Sequence, residues 1–254
     1  MAKGKPLILL SNDDGVDGDG LRFIHPYLKK LGRVVVSAPD RERSGTGHSL
    51  TLSRPLRIKK IEKDLYAIDG TPTDSVMVAV HGILNKRKPD LLVSGINLGP
   101  NLCDDITYSG TVSAAMEGTL LGIPSIAVSL VVRNHKKPKW DVAAEFTVKM
   151  AKYVLKNGLP EDTFLNINVP NSKRASADKY AITTQGRRIY EDILLEKIDP
   201  RGKPYYWIAG EEGVLRGGDK TDLKAIRRGI ISVTPLHLDL TNYNVINQLS
   251  NLKL

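Results

Sequence analysis

The sequence predicts an α/β protein: a mostly parallel sheet with helices on both faces, followed by a C-terminal extension with antiparallel ribbons. Three observations carry that expectation. Strand-like and helix-like segments alternate in the order β-α-β-(β)-α-β-α-β-α-β up to Pro170. Several of the strand-like runs are continuously apolar, as strands buried on both faces require. The loops behind them are rich in glycine and in oxygen-bearing side chains, where an open parallel sheet binds its ligands.

Residues 6–11 form the first buried strand, which runs into Asn12-Asp13-Asp14-Gly15. Apolar positions 21, 24, 27, 28 and 31 make a helical stripe that stops at Gly32. Residues 33–38 are a second buried strand, closed by Pro39, and residues 57–62 alternate as a half-exposed strand does. Thr71-Pro72-Thr73-Asp74 reads as an N-cap, a proline at the first helical position and an acidic third residue, opening a helix to about residue 84. A short strand at 91–94, a helix at 111–121 with Gly122 behind it, a strand at 125–130, a helix at 142–155 and a strand at 164–169 complete the series. Beyond Pro170 the periodicity weakens. Strand candidates there are 180–184, 205–209 and 229–234, and 242–252 reads as a terminal helix.

Composition narrows the classes. A chain of 254 residues is one large domain, or one plus an extension, at roughly 150 residues per domain. With 41% apolar and 26% charged residues it is neither disordered nor fibrous. The single cysteine, Cys103, excludes an intrachain disulfide and a Cys-rich zinc site, and suits a reducing compartment. The N-terminal apolar run is too short for a signal sequence or a membrane span, so a soluble, cytoplasmic chain is expected.

The net charge of +9, from 37 basic against 28 acidic residues, attracts phosphorylated ligands, nucleic acid or acidic lipid. The densest clusters are Arg54, Arg57, Lys59, Lys60 and Lys63, then Arg133, Lys136, Lys137 and Lys139. Neither interleaves with aromatic residues as a single-strand platform would, so no specific nucleic-acid partner is expected.

The reactive residues collect in three loops that converge on one sheet edge: 11–15, 39–49, and 94–101 running on to 111. Adjacent carboxylates at Asp13 and Asp14 repel unless a cation or strong donors compensate. A hard divalent metal with oxygen ligands is the economical answer, with Ser44 and Asn97 as companions. The same tetrapeptide is also good turn chemistry. Ser109-Gly110-Thr111 opens a helix whose backbone N–H groups make an anion cradle. A metal beside such a cradle points to phosphoryl chemistry.

Other chemistries lack their residues. No G-x-G-x-x-G follows the first strand and no G-x-x-x-x-G-K-[ST] occurs. Asp17-Gly18-Asp19 is a D-x-D match, but it lies three residues past the paired aspartates, and the strand end lacks the Asp pair of a haloacid-dehalogenase phosphatase. There is no H-E-x-x-H and no G-x-S-x-G. Of His25, His48, His81, His135 and His237, only His48 is placed near the site; His81 is expected to be packed or capped within its helix.

Five blocks resemble the signatures of the SurE family, the stationary-phase survival proteins: Ser11-Asn12-Asp13-Asp14-Gly15, the run from Ala38 through Arg43-Ser44-Gly45-Thr46-Gly47-His48-Ser49, Gly70 to Asp74, Ser94 to Asn101, and Tyr108 to Gly118. Asn166 to Pro170 and Ser232 to Leu236 extend the likeness to nearly the whole chain. The resemblance implies a Rossmann-like three-layer core and a nucleotidase that dephosphorylates nucleoside 5′- and 3′-monophosphates, with short polyphosphate as a further substrate. It implies one divalent cation per subunit, Mg²⁺ or Mn²⁺, on Asp13, Asp14, Ser44 and Asn97. Asn12, Gly45, Asn101, Ser109, Gly110 and Thr111 match the substrate and phosphate surroundings.

The expected organisation is therefore a catalytic core over 1–170 and an extension over 171–254 for oligomerisation and site covering. By the resemblance, that extension is exchanged between subunits of a homodimer or homotetramer. Whether Asp13, Asp14 or a neighbour acts as general base stays open. Two rivals remain: a non-catalytic nucleotide or nucleic-acid binding protein using the same loops, and a D-x-D glycosyltransferase.

Overall fold

The first strand decides the layering. All five residues of β1 (Leu7–Ser11) are buried, so both its faces need a cover. The computed structural model describes residues 4–132, 136–188, 194–208, 215, 216, 218–250 and 252. After β1 come α1 (Asp19–Lys29), β2 (Arg33–Pro39), β3 (Ile58–Glu62), β4 (Leu65–Ile68), α2 (Pro72–Val78), β5 (Leu91–Leu98), α3 (Gly110–Leu120), β6 (Ser125–Val131), α4 (Trp140–Asn157) and β7 (Thr163–Pro170). The rest comprises β8 (Tyr180–Ile182), β9 (Arg187–Arg188), β10 (Leu194–Ile198), β11 (Pro204–Ile208), β12 (Leu215–Arg216), α5 (Asp222–Arg227), β13 (Ile231–His237) and α6 (Tyr243–Leu249).

Strand parity sorts the core into two layers. Ile8, Leu10, Val34, Val36, Leu91 and Val93 pack with Leu21, Ile24 and Leu28 of α1 and with Ala143, Phe146 and Val154 of α4. Leu9, Leu92 and Ala127 face the opposite way, onto Val76 of α2 and Val112, Ala114 and Ala115 of α3. The result is a three-layer α/β fold.

The sheet order is β3-β4-β2-β1-β5-β6-β7-β13-β8. From β4 across to β7 every neighbouring pair is parallel. The chain winds from β1 outward through β2 to β4, then returns to place β5 on the other side of β1. The topological switch point thus falls between β1 and β5, where the last residue of β1, Ser11, pairs with Ser94.

Several elements differ from the sequence reading. Residues 57–62 are not half-exposed: every residue of β3 is exposed, because β3 is the sheet edge and pairs antiparallel with β4 alone. The strand expected at 91–94 continues to Leu98 through a register shift between Ser94 and Asn97. The helix from Pro72 ends at Val78 and continues as a π turn over Ala79–Ile83, where His81 is exposed rather than packed. The strand read at 229–234 belongs to the main sheet: β13 runs antiparallel to β7 and parallel to β8. Two ribbons, β10–β11 and β9–β12, are antiparallel as expected. Arg133, His135, Ala209 and Asn251 lie outside the described residues. No helix among the described residues is long and apolar enough to cross a membrane.

Helix α1 lies against β5 backbone to backbone. A Cβ placed on Gly20 would sit 1.9 Å from the Ile96 carbonyl oxygen. Gly20→Ala gains helix propensity but must push α1 off the strand that leads into Asn97. The substitution is expected to destabilise the protein by about 2 kcal/mol, a typical overpacking cost. Urea unfolding measures it, and an unchanged or raised midpoint would contradict this packing.

Candidate active site

A cleft of about 300 Å³ opens at the switch point, lined by Asp13, Asp14, Glu42, Ser44, Gly45 and Asn97 together with Leu98–Asn101, Asp105, Tyr108 and Ser109. The three loops singled out in the sequence therefore meet at one place. Backbone hydrogen bonds fix their relative position. The Arg43 N–H donates to the Asp13 carbonyl at 2.7 Å, the Gly47 N–H to the Tyr108 carbonyl at 3.0 Å, and the Gly99 N–H to the Leu130 carbonyl at 3.0 Å.

Asp13 is 4% exposed and sits against the start of α3. The Thr111 hydroxyl donates to Asp13 Oδ1, and the Thr111 backbone N–H points at the same carboxyl. A Cβ on Gly110 would come within 2.7 Å of the Asp13 Cβ, so only glycine lets the aspartate this close to the helix. Burial pushes the Asp13 carboxyl upward in pKa, and the Thr111 donors pull the other way. The helix start expected to cradle a phosphate thus holds the protein's own carboxylate, as a positive helix end favours.

Asp14 is raised to about 7, first by burial and then by the charge of Asp13 beside it. Two carboxyl groups in this cleft strain against joint ionisation. The Ser44 hydroxyl donates to Glu42 Oε1 at 2.9 Å, and the Asn97 side-chain amide donates to the Gly99 carbonyl at 3.2 Å. Among the described residues no three His, Cys, Asp or Glu side chains gather as a metal-holding group. The available donor set is instead two carboxylates with hydroxyl and amide oxygens, a hard-oxygen set suited to Mg²⁺ or Mn²⁺ rather than to softer metals.

Asn101 is 7% exposed and locked from three sides. Its carbonyl accepts from the side chains of Asn166 and Asn168 at 2.8 Å each, its N–H donates to Asn168 Oδ1 at 3.0 Å, and its own amide donates to Ser129 Oγ at 2.7 Å. Ser109 caps α3, its hydroxyl accepting from the Val112 N–H at 3.1 Å.

Of the residues read from sequence, Asp13, Asp14, Ser44, Gly45, Asn97, Asn101 and Ser109 line the cleft, whereas Asn12, Gly110 and Thr111 stand behind it. Asn12 is fully buried and donates to the Gly15 carbonyl at 2.9 Å, closing the Asp-Asp-Gly turn. His48 is close by but faces away: its Nε2 lies 2.9 Å from Glu117 on α3.

Glu42, Asp105, Tyr108 and the pair Asn166/Asn168 carry no site role in the sequence reading, although Tyr108 and Asn166 open two of the family-like blocks. Asn166 and Asn168 had a readable signal, two amides at i and i+2 on one face of a buried strand. The outer wall is held by the C-terminal segment, with Arg188 Nη1 on Asp105 at 3.2 Å and buried Asp222 accepting from the Cys103 N–H at 2.8 Å. The Cys103 thiol, pushed up to about 12 by burial and by Asp222, is not a nucleophile.

Comparisons with known proteins place the chain. Residues 8–192 match the family model described as survival protein SurE. A protein of Geotalea daltonii named 5′-nucleotidase SurE is 54% identical over 94% of this chain and 96% of its own length. One of the same name from Aquifex aeolicus is 51% identical over 98% of both chains. The crystal structure of the SurE protein from Aquifex aeolicus matches with a TM-score of 0.85 at 50% identity, covering 96% of this chain and 98% of that one.

The raised Asp14 has a stability consequence. In the unfolded chain it ionises near 3.8, in the metal-free fold near 7. Its contribution is therefore full below the lower value and is lost as pH rises through the upper one. With chelator present, Asp14→Asn should raise Tm relative to wild type at pH 8 and leave it nearly unchanged at pH 4. Thermal melts at the two pH values test this; a variant less stable at pH 8 would refute the electrostatic account.

Proposed function

The chain belongs to the SurE family, and on that premise we propose that its cleft hydrolyses nucleoside 5′-monophosphates to nucleoside and phosphate with one divalent cation, Mg²⁺ or Mn²⁺, per subunit. Nucleotidase activity itself follows from relatives named 5′-nucleotidase at about half identity over nearly the full chain. The protein is a phosphoric monoester hydrolase. The observation that carries the finer reading is the pair Asp13 and Asp14 facing one cleft with Ser44 and Asn97 at the switch point.

Asp13, Asp14, Ser44 and Asn97 would hold the cation. When bound, it supplies charge that polarises a phosphoryl oxygen and lowers the pKa of water. The chain's own residues supply position. Thr111 and Gly110 fix the Asp13 carboxyl, Arg43 ties the Ser44 loop to Asp13, and Asn166 and Asn168 hold the Asn101 main chain rigid. Gly45, Asn101 and Ser109 border the same cleft and would receive the phosphate, with Asn12, Gly110 and Thr111 as support. Nucleoside 3′-monophosphates and short polyphosphate present the same terminal phosphate and fall within this reading.

We assign the catalytic work to residues 1–170 and assembly, with closure of the cleft wall, to 171–254. In β10 and β11, Leu194, Leu195, Ile198, Tyr205, Tyr206, Trp207 and Ile208 are all exposed. A ribbon with no cover on either side is marginal in water, and a second copy of the chain would supply one.

Phosphate release from a nucleoside monophosphate, with and without EDTA, tests the activity. Chelation should abolish turnover and Mg²⁺ or Mn²⁺ restore it. Asp13→Asn is expected to lower kcat/KM by more than about 100-fold, beyond what loss of a supporting residue at a metal site costs, while the protein stays folded. Binding without turnover would instead favour a non-catalytic nucleotide-binding protein. For assembly, light scattering after size exclusion should show a dimer or tetramer, and Trp207→Asp should shift it towards monomer. A full-length chain running at 27.9 kDa would refute the assembly.

A further inference from the structure

We propose that a basic pocket further along the same sheet edge is a second anion site, which holds the phosphates of a multiply charged ligand. The pocket, about 300 Å³ in volume, is lined by Lys136, Arg174, Arg227 and Arg228 around Val131 and Pro170. Val131 and Pro170 are paired at the ends of β6 and β7, so it opens at the carboxyl ends of the strands, as the cleft does. The cleft lies at β1 and β5, so the two sites are separated by about two strand spacings, on the order of 10 Å.

Segments distant in sequence build it. The Asn171 N–H donates to the Val131 carbonyl at 3.1 Å. The Asn171 side chain accepts from the Lys139 N–H at 3.0 Å and donates to the Lys137 carbonyl at 3.1 Å. One asparagine thus holds the segment that carries Lys136 against the end of β7. The Arg174 N–H donates to Ser172 Oγ at 3.2 Å. Gly229 comes close to the same turn, with its Cβ position 3.8 Å from Ser172 Oγ and 3.9 Å from the Arg174 Cβ, which brings the end of α5 and its two arginines alongside.

Among the described residues no carboxylate lines the pocket. Arg228 has a loose partner in exposed Asp219 at 3.9 Å, and Arg227 makes an interaction of its own. Lys136 and Arg174 have no acidic partner among the described residues. A helix C-terminus explains cations at 227 and 228. It does not explain Lys136 and Arg174, which arrive from two other segments. Lys136 and Arg174, with no acidic partner among the described residues, face the same pocket as the two arginines of α5, and a bound anion would offset the repulsion between them. Guanidinium groups beside an ammonium match the charge and geometry of phosphate oxygens.

Calorimetric titration with inorganic pyrophosphate, and separately with ADP, tests the site; EDTA is present so that no cation bridges the phosphates to the cleft. The Arg174→Ala/Arg228→Ala variant should bind both probes about tenfold more weakly or worse, the size of one or two lost charged hydrogen bonds. Arg174→Lys/Arg228→Lys should keep most of the binding. Hydrolysis of a nucleoside monophosphate by the alanine variant should stay within about twofold of wild type, since neither arginine touches the cleft. Loss for both probes with hydrolysis intact supports the site and identifies phosphate as the recognised group. Any of four results would overturn it: no binding of pyrophosphate by wild type at millimolar concentration, equal binding by the alanine variant, loss for ADP alone, or hydrolysis falling together with binding. The binding arms need no turnover, so failure of the nucleotidase reading is read separately.

Discussion

The structure depends on bringing a buried carboxylate, Asp13, to the mouth of a parallel sheet beside a second one. Burying a charge is costly unless fixed donors meet it. Here the first turn of α3 meets it, through the Thr111 hydroxyl and N–H. That contact has a steric condition in Gly110 and a topological one in the switch point, which places β1 next to β5, the strand whose following loop leads into α3. The same helix carries Glu117 two turns on, where it meets His48 and so restrains the loop bearing Ser44. One short helix therefore sets both the aspartate and the loop opposite it. Asp14, left with less help, retains the electrostatic tension that a cation would relieve.

The second wall of the cleft is organised by amides rather than charges. Asn166 and Asn168 alternate along buried β7 and reach across β6 to Asn101, whose own amide returns to Ser129. A core strand carries two polar side chains here, and both amide N–H groups donate to the Asn101 carbonyl while Asn168 Oδ1 accepts from the Asn101 N–H. The loop after β5 is thereby pinned to the sheet at Asn101, just ahead of a 3-10 turn over Cys103–Thr107. Asp222 and Arg188 extend this logic outward, reaching from the C-terminal segment to residues 103–105. The cleft is finished by residues far from the motif blocks.

The parts legible in the sequence were those in which one local pattern decides the outcome. Continuous apolar runs gave β1, β2 and β6, and Thr71-Pro72-Thr73-Asp74 forms the capping box it promised. The cleft's main residues were readable because carboxylates, glycines and amides directly follow buried strands. Other features depended on partners remote in sequence. Strand β4 leaves no clear mark in the sequence because the two-residue turn before it, Lys63-Asp64, lacks the usual glycine; Asp64 takes φ 63° and is paired with Arg33. The extension of β5 past Ser94 was hidden by Gly95, which breaks the apolar run. The short helix α5 is half charged, and its buried side exists only because Leu223 and Ile226 pack on Leu102, Cys103 and Val131. Thr111 looked like a phosphate donor because nothing local reveals that Asp13, 98 residues away, reaches it first.

The C-terminal region obeys a different constraint from the core. Strand β13 is buried over Ile231–Thr234 and completes the main sheet, and Thr183 bridges Ser232 and Thr234 through their hydroxyls. That part of the extension is thus integral to the fold and cannot be detached from it. The β10–β11 ribbon is the reverse case: ten exposed residues, four of them Leu or Ile and three aromatic, arranged in register with no layer against them among the described residues. A monomer would keep this apolar surface in water, against the tendency of the rest of the molecule. The region therefore divides its labour by burial. Asp222, Arg188 and β13 hold the cleft wall from within the subunit, while the ribbon offers its side chains outward, and an assembly that covers it would tie cleft geometry to association through the same stretch of chain.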